Sequence, residues 1–388
     1  MTYRRVAVAA LVGGVLVTVL LWWAGASAQA LQLPGSSGVL GGRVATEFGR
    51  WLAPWSYDPP GPILFGGGVT GADGDRYLRL FHTSMQIRFG AVFAFFVPGA
   101  MLLVRRLPPV NGRTPALLLA VWAWGVVAGT LAVAVSAPWR IAAQGHASYR
   151  FLPQLASVTS SGRQILVVAA LVAAAGTVLA ARGGVKDMGA LPREAVPVLA
   201  ARLGATAGTA VVALSVVVLS YQSVAATIQT SFAGSGLLAE PGDLLRQWLL
   251  LGAWTGPSGV QLGDWLLYRA SDVLLLVVVW WSLRWLSGLL TRVTFPAMAV
   301  GAVCATVLGL LAGQLLRVGT GGAGLSAGLL QLSAGLGEGV PAAVTCGLAA
   351  GIVAAATLRT AMRRTGGQGG PAGPDSPDAV QAAPAVQE

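Results

Sequence analysis

The sequence predicts an all-α polytopic membrane protein: about eight transmembrane helices forming two parallel four-helix repeats, with amphipathic interfacial helices in the long outer loops. Three observations carry this. Hydrophobic residues make up 55% of the chain and charged residues only 10%. Several apolar runs reach the roughly 20 residues that span a bilayer core. The basic residues gather at the ends of those runs and in short connections, on alternate sides.

A net charge of +11 invites a nucleic-acid reading. The arginines stand singly or in pairs at run ends and line no polar face, so membrane topology accounts for them and nucleic acid is not an expected partner. Lys186 is the single lysine among the 25 basic residues. Cys304 and Cys346 both fall in apolar runs, and two such thiols supply neither a disulfide framework nor a four-ligand zinc site.

The first run, Val6 to Ala26, follows Tyr3, Arg4 and Arg5 and ends in Trp22 and Trp23, the signature of a helix entering from the basic side. Ala26, Ser27 and Ala28 also resemble a signal-peptide cleavage site, but the run is long and has a counterpart later in the chain, which favours its retention. The longest polar stretch follows, from Gln29 to Gln86. Within it Val39, Leu40, Val44, Phe48, Trp51 and Leu52 recur at helical spacing, predicting a helix lying on the outer membrane surface. Pro59, Pro60, Gly61, Pro62 and the glycines from Gly66 to Gly71 break regular structure after it.

The second span is expected from Phe89 to Val104, closed by Arg105 and Arg106, and the third from Pro115 to Ala137. An outer loop from Pro138 to Arg163 precedes the fourth span, Gln164 to Ala181. After the basic seam the scheme repeats. Spans are expected at Leu203 to Tyr221, Ala270 to Leu290, Thr294 to Leu316 and Pro341 to Leu358, with a Gly-rich outer loop before the last. Residues 1–181 thus make the first half, 182–202 a cytoplasmic seam, 203–365 the second half and 366–388 a polar tail without the apolar content to order itself. Eight spans put both termini on the side of the short basic connections, the cytoplasmic side of a cell membrane.

The order of loop lengths is the same in both halves. Leu152, Gln154, Leu155, Gly162 and Arg182 also face Leu329, Gln331, Leu332, Gly339 and Arg359 at one constant offset. An even number of spans per half makes the repeat parallel, a layout of transporters whose halves meet around a central path. Four G-x-x-x-G steps, Gly125/Gly129, Gly204/Gly208, Gly309/Gly313 and Gly347/Gly351, mark candidate helix contacts.

Chemistry is sparse. Asp272, near Arg269, and Arg284, among Trp280, Trp281 and Trp285, are the ionisable residues expected inside spans, and both can reach an interface. Histidine occurs only at His82 and His146, at no metal-ligand spacing, and no P-loop or dinucleotide fingerprint is present, so no cofactor or metal is expected. The densest acidic group is Asp58, Asp73 and Asp75, in the first outer loop. That layout resembles multi-span glycosyltransferases that use lipid-linked sugars, which implies that one of these carboxylates acts as a base or holds a divalent ion. A solvated turn explains the same residues.

The leading expectation is a transporter-type membrane (permease) subunit rather than an enzyme. It would be driven by a separate cytoplasmic ATPase docking on the seam through Lys186, Asp187, Arg193 and Glu194. The alternative is a cell-envelope assembly or division scaffold whose outer loops bind an envelope protein partner.

Overall fold

The computed structural model describes residues 3–30, 49, 51–52, 55–57, 71–108, 113–143, 151–160, 164–183, 197–230, 240–251, 261–290, 293–320 and 325–366. Among these the regular elements are helical. In chain order they are α1 (Tyr3–Ala30), α2 (Gly71–Arg106), α3 (Thr114–Ala142), α4 (Phe151–Ser160), α5 (Gln164–Gly183), α6 (Val198–Ala213), a π-helical turn (Leu214–Leu219), α7 (Gln222–Thr230), α8 (Gly242–Leu249), α9 (Leu262–Leu289), α10 (Phe295–Thr320) and α11 (Leu325–Gly366). Eight segments are long and apolar enough to cross a membrane: α1, α2, α3, α5, α6 with its π-helical turn, α9, α10 and α11.

The spans pack in two rings of four. In one, α1, α2, α3 and α5 each touch the next, and α5 closes back on α1; in the other, α6, α9, α10 and α11 do the same. The rings meet chiefly where α3 lies against α10, with lesser contacts of α3 with α11, α2 with α10 and α5 with α11. Cys304 on α10 donates its thiol proton to the Ala120 carbonyl of α3 at 3.3 Å across that junction. The large apolar side chains left exposed, among them Val8, Leu11, Val15 and Val19 on α1 and Val273 and Val277 on α9, recur at helical spacing. They form the lipid-facing surface that a membrane span requires.

One end of the bundle carries the arginines that close the spans, and here side chains tie the elements together. Arg182 donates to Thr114 Oγ1 at 2.9 Å, and the Arg359 guanidinium lies 4.0 Å from the Phe295 ring centre. Arg113 Nη1 donates to the Leu289 carbonyl at 3.0 Å, joining one ring to the other. At the opposite, far end lie the short helices α4, α7 and α8, with α8 packed on α4, α7 and α11.

Several spans are longer than the apolar runs. Helix α2 begins at Gly71, well before the expected Phe89, because Phe81 and Met85 bury themselves against Ala143 and extend the helix beyond its apolar stretch. Helix α9 starts at Leu262 instead of Ala270. The expected Gly-rich outer loop before the last span is helical from Leu325 onward, in a single helix running to Gly366. Its glycines permit contacts there: a Cβ on Gly339 would come within 2.8 Å of Leu310 Cδ1. The surface helix expected over Val39 to Leu52 lies outside the described residues except for Gly49, Trp51 and Leu52, as does the tail after Gly366.

All four G-x-x-x-G steps sit in helix contacts. The tightest approach to backbone among them is on α11, where a Cβ on Gly347 would stand 2.6 Å from the Val303 Cα of α10, and one on Gly351 2.5 Å from the Ala299 Cα. Backbone cannot move aside as a side-chain tip can, so only glycine fits. Gly351→Leu should therefore cost about 1–3 kcal/mol or more by overpacking, read as a lower unfolding temperature of the detergent-solubilised protein. Gly90→Ala should leave it unchanged, since nothing lies within 4 Å of that position.

Candidate functional site

At the far end the second ring opens into a cavity of about 760 Å³. Its walls come from α4 of the first set of spans and from the π-helical turn, α8, α9, α10 and α11 of the second. Three cations, Arg246, Arg269 and Arg317, and three anions, Asp243, Asp272 and Glu338, line it. A charged lining inside a membrane bundle is costly unless it faces water or a ligand.

Backbone chemistry builds one wall. After α8 the chain leaves helical geometry at Leu250 and Leu251, and both residues are buried. Non-helical backbone among membrane helices must find its hydrogen bonds in protein. Ser215, in the π-helical turn, supplies two: its hydroxyl donates to the Leu249 carbonyl and accepts from the Leu251 N–H at 3.2 Å. Thr345 on α11 donates to the Trp248 carbonyl. The π-helical turn frees the Ser215 carbonyl from a regular bond, and Ser220 meets it with both its N–H (3.1 Å) and its hydroxyl (2.8 Å). Widened turns of this kind recur at functional sites.

On the opposite wall Arg317 of α10 reaches Ser271 Oγ on α9 with Nε at 3.1 Å and Nη2 at 2.7 Å, and lies 4.7 Å from the Tyr268 ring centre. Asp272 pairs at 3.0 Å with Arg269, which the sequence placed near it. Arg284 lies 5.3 Å from the Trp280 ring centre toward the basic end of α9, as its tryptophan neighbours suggested.

The first ring carries a related pair with the roles exchanged. There the arginine is on the earlier helix: Arg88 of α2 donates from Nε to Ser136 Oγ of α3 at 2.9 Å. Its guanidinium is 5.6 Å from the Trp55 ring centre. Arg88 and Trp55 are both fully buried, whereas Tyr268 in the second ring is 37% exposed. The arginine is thus covered in one ring and reachable in the other. Tyr57 stacks on Phe89 with ring centres 5.8 Å apart, and burial pushes its phenol above the usual range despite a hydrogen bond with Trp22.

Of the residues singled out in the sequence, Asp73 and Asp75 lie in the opening turns of α2, not in a loop. Asp75 is exposed. Asp58 and the seam residues Lys186, Asp187, Arg193 and Glu194 lie outside the described residues, as does His146. His82 is an exposed residue of α2 beside Phe81. Among the described residues no cluster of His, Cys, Asp or Glu is placed to hold a metal ion.

Sequence reasoning passed over Arg88 and Arg317, which lie just outside the expected spans Phe89 to Val104 and Thr294 to Leu316. Their signal was the helical phase of Phe81, Met85 and Arg88, which continues the span past its apolar boundary.

Ser215→Ala should unfasten the Leu249 to Leu251 segment, at a cost of about 1–3 kcal/mol for leaving buried backbone groups unmet. Hydrogen exchange in detergent would then quicken at Leu251. Thr206→Ala, on the exposed side of α6, should not change it.

No protein-family model matches the chain, and neither a curated protein nor a solved structure is significantly similar to it.

Proposed function

We propose that the chain is a transport-type membrane subunit whose far-end cavity is the substrate-loading site. The observation that carries this reading is the cavity's position. It lies at the far end of the second ring, walled also by α4 and α8 and lined with charge, while the two rings are joined by the α3–α10 contact and, at the basic end, by Arg113 on the Leu289 carbonyl. A charged cavity at one end of a bundle whose two four-helix units are joined at the other would suit one state of an alternating-access device.

The basic end faces the cytoplasm of a cell membrane in this reading, by the bias of Arg105, Arg106, Arg182, Arg202, Arg359 and Arg363 toward it. The matching ring contacts, and the arginine–serine pair in each ring, support the two-repeat reading of the sequence. Proton coupling finds little support, because Asp272 is already paired with Arg269. A cytoplasmic ATPase docking on Lys186, Asp187, Arg193 and Glu194 would supply the energy instead. A scaffold role draws on α7, a short helix with no buried residue that would suit an envelope partner.

Gln314 lines the cavity and Arg105 marks the basic end. In intact cells Gln314→Cys should react with a membrane-impermeant maleimide, while Arg105→Cys should react only after permeabilisation; the reverse pattern would sink the loading-site reading. Alanine at Lys186, Asp187, Arg193 and Glu194 should abolish co-purification of a nucleotide-binding subunit. Asn at Asp73 and Asp75 should leave function in cells intact, and its loss would favour the glycosyltransferase reading.

A further inference from the structure

We propose that the cavity holds the zwitterionic headgroup of a membrane phospholipid, one phosphate and one ammonium, and that the apolar groove beside it takes the start of the acyl chain. This rests on the loading-site reading above.

The cavity's formal charges balance, three against three. A purely anionic or purely cationic ligand would leave charges of one sign facing their like in a poorly solvated place. What matters is which groups are already committed. Arg269 and Asp272 hold each other. Asp243 accepts from Gln229 Nε2 at 2.8 Å. Arg317 spends Nε and Nη2 on Ser271 and keeps Nη1. Arg246 has only a long, 3.4 Å contact with Gln229 Oε1. Gln247 Nε2 is buried with no acceptor among the described residues. These three open donors suit the oxygens of a phosphate, where guanidinium bonds are strong. Glu338, exposed and without a described partner, is the open acceptor, suited to an ammonium.

The second half of the proposal comes from the other face of the same wall. Gln247 Oε1 accepts from Thr159 Oγ1 at 2.7 Å. Thr159 in turn lines a groove of about 330 Å³ with Ala134, Leu155, Leu244, Leu245 and Trp248. One hydrogen bond between α4 and α8 therefore joins a residue lining the charged cavity to one lining the apolar groove. That is the division an amphipathic lipid presents between headgroup and chain, and a soluble zwitterion would have no use for the groove.

The test is native mass spectrometry of the delipidated full chain, titrated with phosphatidylethanolamine or phosphatidylglycerol. The proposal expects phosphatidylethanolamine to be held about ten-fold more tightly, one charge-assisted contact's worth. Glu338→Gln, at an exposed and fold-neutral position, should erase that preference without weakening phosphatidylglycerol. Leu244→Trp should weaken both lipids while leaving tail-less glycerophosphoethanolamine unaffected. Equal affinity for the two lipids, or an unchanged preference in Glu338→Gln, would overturn the headgroup assignment. Glycerophosphoethanolamine binding as tightly as the whole lipid would overturn the lipid as its source. Maleimide labelling of Gln314→Cys separates the two layers: a labelled cavity without a lipid preference refutes only the ligand class, and an unlabelled one refutes the loading site as well.

Discussion

Inside a bilayer, apolar side chains gain nothing by leaving lipid for one another, so close backbone approach at small residues has to hold the spans together. The tightest approach is between α10 and α11, where Gly347 and Gly351 meet Val303 and Ala299 backbone. On α6, Gly204 and Gly208 do the same against α11, where added Cβ atoms would stand 3.2 and 3.0 Å from the Ala354 and Ala350 carbonyl oxygens. With α11 held from both sides, the second ring is stiff along most of its length. Its far end is different. There α11 still packs on α10 through Gly335 and Gly339, and hydroxyl groups in addition fasten the end of α8 and the irregular backbone after it.

That contrast connects the fold to the site. Helical backbone satisfies itself and can be packed dry, but the turn after α8 exposes carbonyl and N–H groups that need polar side chains. Ser215 and Thr345 meet that need, Ser220 in turn bonds the Ser215 carbonyl, and a polar wall follows from it. Arg317, bonded to Ser271, furnishes the opposite wall. In the first ring the equivalent bond joins Arg88 to Ser136, but Trp55 lies over it, and the pair is buried. The two rings thus end differently, and the second is left with a charged cavity.

Much of the fold was legible because it is written in hydropathy. Each of the eight apolar runs overlaps one of the eight spans, five of them lying wholly within it and three overrunning one end by a residue or two, and the fourth, Gln164 to Ala181, is matched almost residue for residue. The ends were less legible. Phe81 and Met85 extend α2 through a contact with Ala143, 58 positions beyond Met85, which no local pattern announces. The Gly-rich stretch before the last span reads as a loop by propensity, yet it is helical where Gly335 and Gly339 let the chain approach Gln314 and Leu310. The site was hardly legible at all. Asp272 with Arg269 could be paired on one helix by spacing, but the bonds of Arg317 to Ser271 and of Thr159 to Gln247 join residues 46 and 88 apart. Of the acids that drew attention, Asp73 and Asp75 lie in the opening turns of α2.

The central claim is that the two rings are pinned at the basic end and free to part at the far end. Pulsed electron paramagnetic resonance on protein in lipid nanodiscs tests it directly. One pair of spin labels would sit at Ser157 on α4 and Leu262 on α9, and a second at Arg105 on α2 and Arg363 on α11, all exposed positions. The account predicts a broad distance distribution for the first pair, shifting when phosphatidylethanolamine is added, and a narrow, unmoved one for the second. Equally narrow distributions at both ends, unchanged by lipid, would contradict it.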